Sequence, residues 1–233
     1  MCFDNNLIDD ESSVKLKIDG KEIEKVSQFK YLGKIISINE KIYKNTLPKD
    51  DNSWNSFLSE RIRGGWISFH KHKRLLLDHS IALEKRINLY VQLVRPSILY
   101  SCQCWNLLKT QYLRLQSNEN KMIRLISRKS ILDHINIKEL YNSIGLTPIV
   151  NVVFRLKLRF IGHTVRQKLN KPAKMSLQHF PYGFKRRKGR PPLRYTDCLK
   201  SRSLWLRDCL DRNLWKSTNS QINLLDRLYL DKS

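Results

Sequence analysis

The chain has 233 residues, of which 41% are hydrophobic, so it can bury a sizeable core in one or two domains and is not expected to be wholly disordered. No apolar run approaches the roughly 18 residues that cross a bilayer, and the N-terminal residues lack the apolar stretch of a secretory signal, so we expect an intracellular protein outside membranes. The formal net charge is +23, and residues 53–233 carry 35 Lys or Arg against 11 Asp or Glu. Such one-sided charge favours a polyanionic partner, above all nucleic acid, over an ordinary solvated surface of mixed sign.

The N-terminal part of the chain is predicted to be extended. After an expected disordered tail at residues 1–13, apolar and polar residues alternate as in a half-buried strand. Asp19-Gly20 is a strong hairpin-turn signal, because both positions of such a turn need a positive φ. We therefore predict a short β-hairpin or strand unit over residues 14–38 and a polar loop over residues 39–52.

Helical periodicity dominates the remainder of the sequence. Apolar residues recur at helical spacing through residues 53–167, which predicts a helical bundle. Residues 168–192 lose this periodicity and combine prolines with a run of Lys and Arg, which is typical of a basic linker. One or two helices are expected in residues 193–233. The predicted fold class is therefore mainly α, with a short N-terminal β unit.

Six short strings are spread along nearly the whole chain. They are FKYLG at residues 29–33 and the segments 61–69, 93–105, 155–165, 188–198 and 211–215. Taken together, in this order and at this spacing, they resemble the region after the polymerase palm in LINE-type (non-LTR) retrotransposon reverse transcriptases. The resemblance implies that residues 14–38 are the end of a palm and that residues 53–167 are a thumb-like bundle.

The chain departs from that family at several positions. Ser101 stands where the family has Gly, Gln103 where it has an acidic residue, and Tyr195 where it has Trp. The metal-binding aspartate pair of the palm has no counterpart, since Asp9-Asp10 and Asp50-Asp51 lack its preceding aromatic and alanine residues. We likewise expect no counterpart of the endonuclease domain that the family carries upstream. We therefore expect a fragment that neither polymerises nor cuts nucleic acid.

Three basic clusters are candidates for contact with RNA or DNA, mostly through the phosphate backbone. By resemblance, the first lies where a thumb holds the template–primer duplex, the second follows one helix, and the third occupies the linker. The clusters are Arg61, Arg63, Lys71, Lys73 and Arg74; Arg155, Lys157, Arg159 and Arg166; and Lys185, Arg186, Arg187, Lys188, Arg190 and Arg194. A solvated amphipathic surface is the alternative for the helices. For the linker it is a nuclear-localisation signal, which is compatible with binding and makes the nucleus the expected compartment.

The FKYLG string carries a second, weaker candidate site. By resemblance, Phe29, Tyr31, Leu32 and Gly33 would steady the end of a primer. Apolar packing is the alternative for the same residues, and it is favoured when no palm precedes them.

No metal or other cofactor is expected. The pairs His70-x-His72 and Cys102-x-Cys104 have one-residue spacing, which in a helix directs the two side chains to different faces. We interpret Cys102, Cys104 and Trp105 as core residues.

Two further hypotheses stay open beside the nucleic-acid-binding fragment. One is a relic of a truncated element without a stable fold. The other is a recruited DNA-binding protein, because Gly189-Arg190-Pro191 matches the core of an AT-hook and would favour A·T-rich duplex DNA. The sequence makes no prediction of oligomeric state.

Overall fold

A computed structural model describes residues 17–19, 21–22, 28–31, 34–37, 52–130, 132–178, 195–199 and 205–220. Helices dominate these residues, which confirms the mainly α fold class. The α-helices are α1 (Asn52–Lys71), α2 (Lys73–Leu76), α3 (Leu83–Leu93), α4 (Arg95–Leu99), α5 (Lys109–Ser127), α6 (Ile137–Ser143), α7 (Ile149–Val165), α8 (Pro172–Gln178), α9 (Trp205–Leu210) and α10 (Arg212–Ser220). Two 3₁₀ helices cover Cys102–Cys104 and Tyr195–Leu199.

Two short antiparallel strand pairs precede the helices. Strand β1 (Lys17–Ile18) pairs with β2 (Lys21–Glu22) across Asp19, whose φ of 51° lies in the left-handed region. Strand β3 (Gln28–Tyr31) pairs with β4 (Lys34–Ser37). The FKYLG string therefore spans the β3–β4 connection, although residues 32–33 lie outside the described part of the chain. The predicted tail at 1–13 and residues 39–51 of the predicted loop lie outside it as well.

Helix α1 runs unbroken through its Gly64-Gly65 pair. A Cβ added at Gly65 would lie 2.4 Å from Cγ1 of Ile98, so the missing side chain lets α4 approach the helix closely. Gly64 faces open space, with nothing within 4 Å of the same added atom. One glycine of the pair is thus a packing residue and the other is not.

The larger hydrophobic core lies among α1, α3, α4, α5, α6 and the start of α7. Its largest buried side chains include Leu58, Tyr90, Trp105 and Met122. Helix α5 packs against α1, α3 and α7 and so occupies the middle of this bundle. Pro96 lies in the first turn of α4, where its missing N–H costs no helical hydrogen bond.

A second, smaller core joins the C-terminal elements to α7. Phe154, Leu158 and Ile161 of α7 pack with Cys209 and Trp215 of the last two helices. The segment predicted as a linker, residues 168–192, contains helix α8, which also packs against α7. Pro172 occupies its first position, and the Ala, Lys, Met, Leu and Gln that follow are good helix formers.

Candidate nucleic-acid interface

One exposed face at the end of α1 and in α2 is basic. Arg63 and Lys71 are exposed on α1, where their spacing of eight residues directs them to one side of the helix, and Arg74 is exposed on α2, three residues further on. Lys73 is exposed beside them. Ile67 lies in the same line and is 61% exposed. We call this surface the α1 stripe.

Arg61, the fifth predicted cation of this region, does not belong to the stripe. Its guanidinium carbon lies 5.0 Å from the centroid of the Phe57 ring and 4.9 Å from that of the Tyr100 ring. The side chain is half-buried between these two rings. Its charge is therefore directed at aromatic faces rather than at solvent.

A second basic line follows α5, and sequence reasoning missed it. Arg114, Lys121 and Arg128 are exposed and seven residues apart, so they lie along one side of the helix and its C-terminal end. Arg114 also donates a hydrogen bond to the Ser59 hydroxyl of α1 at 3.0 Å. The seven-residue spacing was the available signal, but the cations are too far apart in sequence to form a visible cluster. We call this surface the α5 stripe.

The third basic surface is the exposed face of α7. Arg155, Arg159, His163 and Arg166 are exposed at intervals of four, four and three residues. A rise of 1.5 Å per residue places neighbouring members about 4.5–6 Å apart along the helix axis. We call this surface the α7 stripe.

Lys157 corrects the prediction for α7. It is 2% exposed, and its Nζ lies 4.2 Å from the centroid of the Tyr195 ring. Burial lowers the pKa of Lys157, although Cys198 and Asp197 oppose this effect. A position two residues from Arg155 points to the opposite side of a helix, so Lys157 faces the second core and cannot meet a phosphate.

The three stripes share one electrostatic property. Among the described side chains of α1, α5 and α7, no carboxylate is exposed: Glu60 is half-buried and Glu119 is buried. Exposed acidic residues such as Asp78, Glu84 and Glu139 lie on other elements. The described outer faces of these three helices therefore carry exposed cations without exposed carboxylates.

The buried carboxylate of Glu119 organises the centre of the bundle. Its oxygens accept hydrogen bonds from Arg95 Nε at 2.8 Å, Tyr141 Oη at 2.9 Å, Tyr90 Oη at 3.2 Å and Ile149 N at 2.7 Å. Burial, with the Glu119 charge nearby, raises the pKa of both tyrosines, so they remain hydrogen-bond donors. Arg95 of the third family-like string is therefore a structural cation rather than a binding residue.

Contacts between the family-like strings fasten the C-terminal helices to α7. Trp215 Nε1 donates to the Leu158 carbonyl at 2.9 Å. A Cβ at Gly162 would lie 2.4 Å from that nitrogen, so only glycine leaves room for the indole. Arg166 Nη1 donates to the Cys209 carbonyl at 2.5 Å, which fixes the end of the α7 stripe.

Tyr195 makes a second attachment between distant strings. Its hydroxyl donates to the Gln103 carbonyl, and its ring covers the Lys157 ammonium. Burial raises the pKa of the Tyr195 hydroxyl, which keeps it protonated as a donor. Tyr195 and Gln103, two of the positions that depart from the family's pattern, are thus hydrogen-bonded to each other.

The cysteine prediction is confirmed in part. Cys102 and Trp105 are buried in the larger core, and burial raises the pKa of Cys102 to about 12. Cys104 is exposed, so the prediction that it is a core residue is wrong. The reason is the 3₁₀ turn, which directs neighbouring side chains to different sides. In the described part of the chain, no three His, Cys, Asp or Glu side chains are grouped to hold a metal ion, and no helix has the length and apolarity to cross a membrane.

The other predicted site residues lie partly or wholly outside the described residues. Phe29 and Tyr31 lie on β3, whereas Leu32 and Gly33 fall outside. The whole linker cluster at residues 185–194 falls outside too. The elements on either side of residues 179–194 are described, and both attach to α7: α8 packs against it, and Tyr195 covers Lys157.

The fold and its surface define a helical scaffold with basic outer faces and a C-terminal segment docked on α7. The chain is 24% identical over 184 residues to a putative uncharacterized transposon-derived protein of Caenorhabditis elegans, a match that covers 77% of this chain. This similarity supports a transposon origin for the chain. The match spans 61% of the length of that relative. No family model and no solved structure matches the chain.

Proposed function

We propose that this chain is a non-catalytic, nucleic-acid-binding region of a non-LTR retrotransposon reverse transcriptase, which grips template RNA or a template–primer duplex. The observation that carries the proposal is the set of three stripes, in which cations are exposed and carboxylates are not. The transposon origin and the six family-like strings support the choice of this family.

The chemistry of the stripes favours contact with phosphates over contact with base edges. Lys and Arg side chains spaced along the outer face of a helix can contact successive phosphates of a nucleic-acid strand. Binding then releases the counterions condensed on those phosphates. Such contacts set position and affinity but carry little sequence information. The partner class is therefore RNA or DNA bound through its backbone.

The linker cluster is proposed as part of the same surface. The elements before and after residues 179–194 both contact α7, the helix that bears Arg155 and Arg159, so the linker cluster is covalently joined to elements that pack on this helix. A tethered second cluster binds at a high effective concentration once the first is engaged. The α7 stripe and the linker are thus expected to act together on one strand.

The proposal assigns no catalytic step to this chain. Its one fully buried described carboxylate, Glu119, already accepts hydrogen bonds from Arg95 and two tyrosines, so it is not free to ligate a metal ion. We expect no primer extension by the protein in the presence of Mg²⁺.

A salt titration tests the proposal with a matched control on the same helix. We expect the double variant R155A/R159A to reduce the slope of log K against log salt by about 1.4–1.8, because each lost phosphate contact removes about 0.7–0.9. Lys157→Met removes the same kind of charge from the buried side of α7 and should leave the slope unchanged. Affinity is measured for structured RNA and for duplex DNA at several salt concentrations.

The same salt titration tests the linker cluster with a separate variant. Replacing Lys185, Arg186, Arg187, Lys188 and Arg190 with Ala should flatten the slope by several units. An unchanged slope would exclude the linker from the interface. Absence of binding by the unmodified protein at low salt would overturn the proposed function itself, and a preference for A·T-rich duplex DNA over RNA would favour an AT-hook-like protein instead.

A further inference from the structure

We propose that His70, supported from beneath by Trp66, is a stacking site for one unpaired nucleic-acid base. The proposal rests on the proposed function, because it assumes that the α1 stripe meets a nucleic acid. It adds a ligand class that phosphate contact alone does not specify, namely a single-stranded or splayed nucleotide.

The geometry of the site is that of a prearranged aromatic platform. His70 is exposed, and its ring stacks on Trp66 with centroids 5.8 Å apart and planes at 30°. Trp66 is itself held in place, since its Nε1 donates to Asn118 Oδ1 at 3.2 Å and its ring packs edge-to-face with that of Phe69, with centroids 5.5 Å apart. The imidazole is therefore ordered before any ligand arrives, which reduces the entropy cost of binding.

The surroundings of His70 match both halves of a nucleotide. Ile67, three residues before it, is 61% exposed and offers apolar contact to a base. Arg63, Lys71 and Arg74 on the same stripe are exposed and suited to the adjoining phosphates. Proteins that bind single strands combine these two components, a cationic track and aromatic rings on which bases stack.

The geometry also excludes one form of ligand from this site. In a duplex the bases stack on one another, and their faces are not open to a side chain. Stacking on His70 therefore requires an unpaired or flipped base. A duplex would therefore bind only through phosphate contacts with the stripes.

The test compares two single-stranded RNA oligonucleotides with the same number of phosphates, one with normal bases and one abasic. The unmodified protein should bind the base-containing strand about tenfold more tightly, as expected for one stacked base. His70→Ala should abolish most of this preference without changing the salt slope, because no phosphate contact is lost. His70→Phe keeps an aromatic ring and should retain the preference.

His134→Asn is the matched control. His134 is an exposed histidine between α5 and α6, outside the three stripes, and its φ of 50° lies in the left-handed region that asparagine tolerates. This variant should keep the preference for the base-containing strand, and His70→Ala should leave duplex affinity unchanged. Circular dichroism confirms that each variant is folded.

The outcomes separate this proposal from the one on which it rests. Two results would overturn the stacking site: equal affinity of the unmodified protein for both strands, or equal behaviour of His70→Ala and His134→Asn. Salt-dependent binding in the same experiment would still support the stripes. Absence of binding to either strand at low salt would overturn the proposed function as well.

Discussion

At the scale of single residues, the direction of a side chain decides what a charge does. Arg95 and Lys157 have cationic side chains, as Arg155 does, yet both are buried and point into the protein. Arg95 is paired with Glu119 at 2.7 Å, and Lys157 lies over the Tyr195 ring. Neither side chain can contribute to a binding surface, although both belong to the six family-like strings.

The Glu119 carboxylate gives the first stability prediction at this scale. Glu119→Gln keeps the side-chain shape but removes the charge that balances Arg95, and breaking a buried ion pair on one side costs about 3–5 kcal/mol. We expect the free energy of unfolding, measured in urea, to fall by this amount. The two tyrosines also lose a strong acceptor.

An exposed glutamate serves as the control for this change. Glu139 lies in the first turn of α6, and Glu139→Gln should cost less than about 1 kcal/mol, the usual worth of a surface charge near a helix N-terminus. Equal effects of the two substitutions would show that the Glu119 network does not stabilise the bundle.

At the scale of elements, α7 is the helix on which both cores and one stripe depend. Its start completes the larger core, its later apolar residues form the smaller core, and its outer face is the α7 stripe. The C-terminal helices reach it through Trp215, whose indole lies against Gly162. Packing of the C-terminal helices on α7 therefore depends on the absence of a side chain at Gly162.

A pair of glycine substitutions tests this dependence. Gly162→Ala should push Trp215 out of place and lower the free energy of unfolding by about 1–3 kcal/mol, as overpacking does elsewhere. The C-terminal helices should also exchange their amide hydrogens faster, because their attachment to α7 is weakened.

Gly64→Ala is the matched change in another helix. The added methyl group meets nothing within 4 Å, and alanine has the higher helix propensity, so we expect a gain of about 0.4–1 kcal/mol. If both alanine variants lost stability to the same degree, the contact between Gly162 and Trp215 would not be the cause.

At the scale of the whole molecule, the described helices share a continuous framework through α5 and α7. Helix α5 contacts α1, α3 and α7, and α7 in turn holds α8, α9 and α10. Elements that share one central pair of helices are expected to unfold together. This arrangement bears on the hypothesis that the chain is a relic without a stable fold.

Equilibrium unfolding distinguishes a folded fragment from such a relic. We expect strong helical circular dichroism, slow proteolysis at native conditions and a cooperative urea transition, because the two cores exclude water from a large apolar surface. Rapid digestion with little helical signal would instead favour the relic.

Much of the fold was predictable because its signals are local. The helical periodicity after residue 52 and the turn at Asp19 each depend on a few neighbouring residues. The composition of residues 173–178 also favours a helix, but the prolines and basic residues around it suggested a linker. Single-helix spacing also predicted the exposed positions of Arg155 and Arg159.

The candidate site was only partly predictable. The α5 stripe was missed because single cations spaced seven residues apart form no visible cluster in the sequence. Arg61 was predicted to face a nucleic acid, but its side chain lies against Phe57 and Tyr100, which come from different elements. The stacking of His70 on Trp66 was likewise not predicted, because the sequence alone shows neither the contact between the two rings nor the exposure of His70.

The amino-acid sequence by itself determined the helical class, the charge surplus and the resemblance, because propensity, periodicity and composition are properties of neighbouring residues and of totals. Only the tertiary structure decided which cations face solvent and which, like Lys157 and Arg95, are enclosed. The physical reason is that burial depends on contacts between residues far apart in the chain, such as Arg95 with Glu119 and Gly162 with Trp215. A charge acts on a partner molecule only where those contacts leave it exposed.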